Sequence, residues 1–149
     1  MNILNAVISG IVATLVFTMI LKMAPKMGMP NMDIVDLLGS MFSQKSNAAL
    51  GWMMHLMMGA VFAVIYAFLW SSGIGAPNWT SGLAFGAVHW LIVGVMMAAI
   101  PMMHVGIKSG AVKAPGMWMT NNGGAMAFMG GLVGHMIFGV VVALVYAAL

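Results

Sequence analysis

The sequence predicts an all-α integral membrane protein, a four-helix bundle built from two tandem helical hairpins in one domain. Composition is the first reason: 63% of the 149 residues are hydrophobic and 5% are charged, against about 25% charged residues in soluble domains. The second reason is four apolar stretches, each close to the ~20 residues that a helix needs to cross a bilayer. The third is a pattern shared by two of these stretches, which indicates two similar hairpins.

Four predicted spans follow one another along the chain, at residues 3–23, 48–70, 80–102 and 125–149. A short turn rich in Gly, Pro, Ser and Asn joins the second span to the third, whereas the other connections are longer. No basic segment precedes the first span, so we expect a transmembrane helix there and not a cleaved signal peptide. The absence of cysteine excludes disulfides and thiolate sites.

The charges indicate how the spans are oriented. All five lysines lie in or beside the two long connections, at Lys22, Lys26, Lys45, Lys108 and Lys113. Because basic residues favour the cytoplasmic side, we expect a multi-pass protein of the inner (plasma) membrane with both termini outside. Aromatic residues near the opposite level predict an outer interfacial belt. They are Tyr66, Trp70, Trp79 and Tyr146.

The first long connection is predicted to contain an amphipathic helix over residues 33–42 that lies in the membrane interface. Its apolar residues recur at the spacing of one helix face. They are Ile34, Leu37, Leu38, Met41 and Phe42. Asp33 and Asp36 lie on the other side, and we favour a role for them as N-terminal cap and dipole partner over a cation or proton site.

The second and fourth spans share a pattern without gaps, Gly51–Leu69 against Gly131–Leu149. The recurring positions are Gly51, His55, Gly59, Ala63, Tyr66, Ala67 and Leu69, which match Gly131, His135, Gly139, Ala143, Tyr146, Ala147 and Leu149. The first and third spans match more weakly, with Gly10 against Gly86. Because each hairpin has two spans, both hairpins run in the same direction, and we expect a pseudo-two-fold axis along the membrane normal.

Small residues spaced four apart form stripes on the predicted helices. Gly51, His55 and Gly59 share one face, because residues four apart lie one above the other on a helix. Such stripes let helices approach closely in lipid, where packing drives their association. The candidate helix-packing residues are Gly10, Thr14, Gly51, Gly59, Gly86, Gly131 and Gly139. The same stripes could equally mediate a homo-oligomer or docking to other membrane subunits.

The ionisable side chains within the spans are mainly histidines. His55 and His135 lie on the small-residue stripes, about two turns from the cytoplasmic end, and the pseudo-two-fold axis predicts that they face each other. His89 lies about two turns from the outer end of its span, and we place it in the opposite half. An ionisable residue inside a span is a candidate functional site by default.

Nearly all of the 20 methionines fall in the predicted cytoplasmic half. We favour methionine as a flexible packing residue there, with no cofactor. A soft-metal site is an alternative, since thioethers and imidazoles suit Cu(I). Its candidate ligands are His55, His135, His104, Met54, Met58 and Met103. A further alternative is a haem b held by His55 and His135, with the flanking glycines making room for the macrocycle.

No set of residues in the sequence assembles a catalytic site. The only two acids lie in one connection, and no phosphate-binding loop ending in Lys-Ser/Thr occurs. We therefore expect no enzyme and no nucleic-acid binding, and the lysines explain the net charge of +3. The leading hypothesis is a non-enzymatic membrane component in the lipid bilayer, self-associating or an accessory subunit of a larger complex. A small transporter at the repeat interface is an alternative that requires a water-accessible cavity between the hairpins.

The order of these features resembles a bacterial family of small four-span integral membrane proteins of unknown function. The matching residues are Lys22-Met23-x-Pro25-x-Met27-Gly28, Met32–Ile34, Leu38-Gly39, Gly51-Trp52 with His55 and Gly59, and His135 with Gly139 and Tyr146. The resemblance covers nearly the whole chain. It implies the four-span fold and no activity, and it does not extend to the methionine clusters or His104.

Overall fold

The computed structural model describes residues 1–149 and contains helices without strands. Its α-helices are α1 Ile3–Met23, α2 Ile34–Gly39, α3 Ala48–Ser71, α4 Trp79–Met96, α5 Val105–Lys108 and α6 Gly124–Ala148. Segments of 3₁₀ helix occupy Ala24–Met27, Met97–Met102 and Met117–Asn122. Four helical stretches are long and apolar enough to cross a membrane, Ile3–Met27, Ala48–Ser71, Trp79–Met102 and Gly124–Ala148. The prediction of an all-α membrane protein with four spans is confirmed.

Three of the long helices begin at an asparagine. The side chains of Asn2, Asn47 and Asn78 each accept a hydrogen bond from the backbone N–H three residues further on, at 2.9–3.1 Å. A side-chain oxygen at this position satisfies one of the N–H groups that the first turn leaves without a partner. The polar residues in the connections therefore fix where α1, α3 and α4 start.

The long helices form two pairs that pack against each other. Helix α1 packs on α3, α6 packs on α4, and α1 packs on α6. We name the two ends of the bundle for reference. The lysine end carries the long connections, residues 24–47 and 97–123, and the terminal end carries residues 1–2, 72–78 and 149.

Glycines lie at the closest approaches within each pair. A Cβ added at Gly86 of α4 would lie 2.7 Å from the Cα of Met136 on α6, closer than real Cβ atoms come to backbone. A Cβ at Gly10 of α1 would lie 2.8 Å from the Cα of Ala60 on α3. The other predicted packing residues also face neighbours in the same chain: Thr14 lies against Gly59, Gly51 against Val35, Gly131 against Trp90, and Gly139 against Gly82.

Helices α3 and α4 meet through aromatic rings instead. The Trp70 ring of α3 stacks on Phe85 of α4 with centroids 5.9 Å apart, and Tyr66 lies edge-on to Phe85 at 5.2 Å. Tyr66 and Trp70 are buried, so they do not form the interfacial belt predicted from the sequence. Their polar atoms find partners inside the protein, because Trp70 Nε1 donates to Ser81 Oγ at 2.8 Å and the Tyr66 hydroxyl bonds to His89 Nδ1 at 3.2 Å.

Helix α2 differs from the amphipathic helix predicted over residues 33–42. It ends at Gly39, it packs on α3, and Val35, on the supposed polar side, is buried together with Leu37 and Leu38. At its C-terminal end, the Ser40 hydroxyl donates to the carbonyl of Asp36 at 2.9 Å, with the carbonyl of Leu37 at 3.2 Å. Asp33 accepts from the Asp36 N–H at 2.9 Å, which confirms its predicted role as the N-terminal cap.

The two long connections join each other at the lysine end. The N–H of Val105 donates to Met41 O at 3.0 Å, and the N–H of Gly106 donates to Ser40 O at 3.1 Å. The His104 ring is fully buried, and its Nε2 donates to Leu37 O at 2.7 Å. These bonds hold α2 and α5 together as one layer across the end of the bundle.

Candidate functional site

A cavity of about 60 Å³ lies inside the bundle and is lined by side chains from all four long helices. A buried water needs about 10–15 Å³ of such space, so the cavity can hold a few waters or one ion. Both hairpins contribute to its wall, Phe17 and His55 from the first and His89 and His135 from the second. The cavity therefore lies at the interface between the two predicted repeats.

Three histidines line this cavity, His55 from α3, His89 from α4 and His135 from α6. The rings of His89 and His135 lie edge-on with centroids 4.8 Å apart. Phe17 of α1 packs edge-on against His55 at 6.0 Å and against His135 at 4.9 Å. The close histidine pair is thus His89 with His135, and the prediction that His89 lies apart in the opposite half is wrong, because its position is near the middle of the bundle.

Hydrogen bonds fix the orientation of two of the rings. His135 Nδ1 lies 2.8 Å from the carbonyl of Gly131, which can only accept, so Nδ1 carries the proton. The Thr18 hydroxyl donates to Thr14 O at 2.7 Å, so its oxygen accepts from His55 Nδ1 at 3.3 Å. In the neutral ring, the Nε2 atom of each histidine then carries a free lone pair.

The third ring, His89, is held by α3. Its Nδ1 bonds to the Tyr66 hydroxyl at 3.2 Å, and Phe62 stacks on its face with centroids 3.7 Å apart. No protein group forms a hydrogen bond with Nε2 of His55, His89 or His135. Three imidazole nitrogens without protein partners therefore belong to rings that line one cavity.

Methionine thioethers complete the lining of the cavity. Those that line it are Met32, Met58, Met97 and Met119. Of the predicted methionine ligands, only Met58 is among them. Met54 packs against the hydrophobic core elsewhere, and Met103 is 70% exposed.

Met119 reaches the cavity from an unusual backbone. Trp118 and Met119 both have positive φ, 50° and 56°, a left-handed conformation that is unfavourable for residues with a Cβ. The Trp118 ring packs on Gly94 of α4, where any side chain at Gly94 would collide with it. This contact explains why the segment Met117–Asn122 bends there, and the bend places Met119 at the cavity.

His104 is not a metal ligand in this arrangement. It does not line the cavity, and both of its ring nitrogens are used: Nε2 donates to Leu37 O, and Nδ1 accepts from the N–H of Ile107 at 3.1 Å. Neither nitrogen keeps a lone pair for a metal. The prediction that His104 is a ligand is wrong, because the residue caps α5 and joins the two connections.

The cavity is too small for a haem. Pockets for organic ligands measure about 300–1,000 Å³, well above this cavity. The glycines that would make room for a macrocycle are covered by Trp90, which lies against Gly131, and Thr14, which lies against Gly59. The haem alternative fails on this packing. His55, His89, His135 and the acids form no group of three or more with metal-site spacing, so an ion would need methionine as well.

Sequence reasoning missed His89, Met32, Met97 and Met119 as lining residues. His89 follows Gly86 by three residues, so both lie on one face of α4. From this spacing, His89 could have been predicted as a lining residue. Met32 and Met119 belong to the connections, and nothing in their local sequence indicates that they fold back onto the bundle.

Comparison with known proteins gives one match. No curated protein and no solved structure matches the chain. A family described as a family of unknown function, DUF6789, matches residues 1–149. Since the match extends over the whole sequence, this chain belongs to the DUF6789 family.

Proposed function

We propose that this protein binds one soft monovalent metal ion, Cu(I), within the membrane, and that His89 and His135 together with cavity methionines are its ligands. The observation that carries the proposal is the set of imidazole Nε2 atoms without protein partners around a cavity that also contains thioethers. Imidazole nitrogens bind metals at about 2 Å, so rings 4.8 Å apart can share one ion. Thioethers favour Cu(I).

The hydrogen bonds of the Nδ1 atoms support this role for the histidines. Histidines that bind metals nearly always donate the other ring N–H to a carbonyl or a similar acceptor, which orients the ring. His135 does so to Gly131 O, and His55 donates to the Thr18 hydroxyl. For Nε2 of His89 to bind a metal, its Nδ1–H must donate to the Tyr66 hydroxyl, 3.2 Å away.

The absence of anionic groups from the cavity lining favours a monovalent ion over a divalent one. No carboxylate lines the cavity, and the chain has no cysteine. A divalent ion such as Zn²⁺ would bring two positive charges into a site without anionic ligands, and burial of unpaired charge is unfavourable. The same lining offers no acid and no strong nucleophile, so we propose binding and not catalysis.

Titration of the purified protein in detergent with Cu(I), kept reduced by ascorbate and competed by a coloured chelator, tests the proposal. We expect one Cu(I) per chain and no competition by Zn²⁺. His89→Ala and His135→Ala are expected to weaken Cu(I) binding by about 100-fold or more, because each removes a nitrogen ligand. A wild-type protein that takes up no Cu(I) would exclude the metal-binding function.

Two methionine variants form a matched pair that leaves the fold intact, because leucine is close to methionine in volume. Met97 is buried at the cavity, whereas Met57 lies on the same bundle with 57% of its surface exposed. We expect Met97→Leu to weaken Cu(I) binding by about tenfold, and Met57→Leu to leave it unchanged. Equal affinities in the two variants would count against thioether ligands in the cavity.

Self-association and an accessory role in a larger complex draw no support from the small-residue stripes, because those glycines face neighbours within the chain.

For location, we propose the inner (plasma) membrane with the lysine end in the cytoplasm, since all five lysines lie there. Reporter fusions at residue 149 and within the connection Lys108–Lys113 test the orientation. We expect periplasmic activity only from the first fusion.

A further inference from the structure

Two further cavities lie between the central cavity and the lysine end. The first, which we call the neck, measures about 20 Å³. The second, which we call the vestibule, measures about 140 Å³. The neck is lined by Thr18, Leu21, Lys22, Asn31, Met32, Asp33, Ile34 and Val35. The vestibule is lined by Asn31, Asp33, Asp36, Leu37, Val112, Lys113, Pro115, Met119 and Asn122.

Shared lining residues connect the three spaces, and Met119 lines both the central cavity and the vestibule. Leu21, Met32 and Ile34 line both the central cavity and the neck. Asn31 and Asp33 line both the neck and the vestibule. Each space therefore shares part of its lining with the next. Met32 is the most flexible of the residues between the neck and the central cavity, since it is unbranched with three rotatable side-chain bonds.

Carboxylates and lysines both lie along this series. The chain's only two acids, Asp33 and Asp36, both line the vestibule. The lining also includes two lysines: Lys113 in the vestibule, whose Nζ donates to Asn121 O at 2.6 Å, and Lys22 in the neck, whose Nζ lies 5.3 Å from the centroid of the Trp52 ring. Further in, the Thr18 hydroxyl lines the neck and bonds to His55 of the central cavity.

Aromatic rings pack between the central cavity and the terminal end. Between the histidines and that end lie the rings of Tyr66, Trp70, Phe85 and Phe138, which pack against one another with centroids 5.2–6.3 Å apart. Tyr66 is also hydrogen-bonded to His89. Access from the terminal end would require this layer of rings to move together.

We infer that the metal ion reaches the central cavity from the lysine end, through the vestibule and the neck, with Met32 as the side chain that moves aside. The inference rests on the proposed Cu(I) function and adds its route. If the site can be loaded from one side of the membrane and not from the other, the protein acts as a carrier or store that faces that side. A transporter needs access from both sides of the membrane. The route also gives a role to Asp33, the carboxylate that lines both the neck and the vestibule and that the ion would pass.

Cysteine labelling tests the route, because the chain contains no cysteine of its own. Asn31→Cys places a thiol at the neck, and Ser72→Cys places one at the terminal end, and both positions are exposed. Each variant is labelled with a bulky maleimide, so that no free thiol remains to bind metal. Loading is followed by stopped-flow quenching of tryptophan fluorescence with ascorbate-reduced Cu(I), since Trp90 lines the central cavity.

We expect the label at residue 31 to slow Cu(I) loading by about tenfold or more and the label at residue 72 to leave the rate unchanged. The amount of Cu(I) bound at equilibrium should stay at one per chain in both proteins. Equal rates for the two labelled proteins, or slowing only at residue 72, would overturn the route while leaving the metal site intact. Failure of the unlabelled wild type to bind Cu(I) would instead defeat the proposed function itself.

A charge variant gives an independent check. Asp33→Asn removes the negative charge and keeps the α2 cap, because asparagine caps helices as well as aspartate. We expect loading about tenfold slower at low ionic strength, with the difference shrinking in high salt and the final stoichiometry unchanged. A salt-independent rate equal to that of the wild type would contradict a role for the Asp33 charge in loading.

Discussion

Gly86→Leu is expected to lower the free energy of unfolding by about 3 kcal/mol or more, because the larger side chain cannot fit between α4 and α6. At Gly86 even a Cβ would lie 2.7 Å from the Cα of Met136 and 2.8 Å from the carbonyl carbon of His135. Both neighbours are backbone atoms, so a rotamer change cannot relieve the clash. The two helices must move apart, and with them the His89–His135 pair.

Ala84→Leu is the matched control for this variant. Ala84 lies two residues earlier on α4 and is exposed, so the added volume points away from the α4–α6 contact. Unfolding in mixed micelles, followed by helical circular dichroism as SDS is added, gives the two free energies. If the two variants unfold at the same SDS fraction, the close α4–α6 approach does not contribute to stability.

His104→Ala is expected to reduce stability by about 3 kcal/mol, since it empties a fully buried position and removes two hydrogen bonds. The change leaves the carbonyl of Leu37 and the N–H of Ile107 without their partner. Both connections depend on this ring, so we expect them to separate and to become sensitive to protease. Limited proteolysis of the detergent-solubilised protein, with cleavage mapped by mass spectrometry, should place the first cuts within residues 40–47 and 109–116.

His104→Asn separates the two functions of the ring. Asparagine is a good helix cap and can accept from Ile107 N–H, but it is too short to replace the bond of Nε2 to Leu37 O. We expect about half of the loss seen with alanine. A variant as stable as the wild type would show that the link between α2 and α5 is unimportant, and Cu(I) stoichiometry should be unchanged in all folded variants, because His104 lies outside the cavity.

The long helices could be predicted because their determinants are local. Apolar length identifies the four spans, and an asparagine marks the start of three of them. The glycine spacing also predicted which positions would lie at close helix contacts. It could not tell whether those contacts would form within one chain or between chains, since both use the same packing, and the structure has them within the chain.

The candidate site was only partly predictable, because its lining comes from distant segments. His55 and His135 stand out through the repeated pattern, but their relation to His89 depends on how the hairpins rotate about each other. Met119 reaches the cavity from a backbone with positive φ, next to the Trp118 ring that occupies the space beside Gly94. Tyr66 and Trp70 have the sequence pattern of interfacial residues, and their burial depends on partners supplied by α4.

The two contacts between the hairpins differ in kind. Helices α1 and α6 pack closely, whereas α3 and α4 are joined through aromatic rings. The seam between α3 and α4 is therefore made of side chains and not of helix against helix. His89, held by Tyr66 and Phe62 of α3, is the proposed ligand whose position depends on this seam.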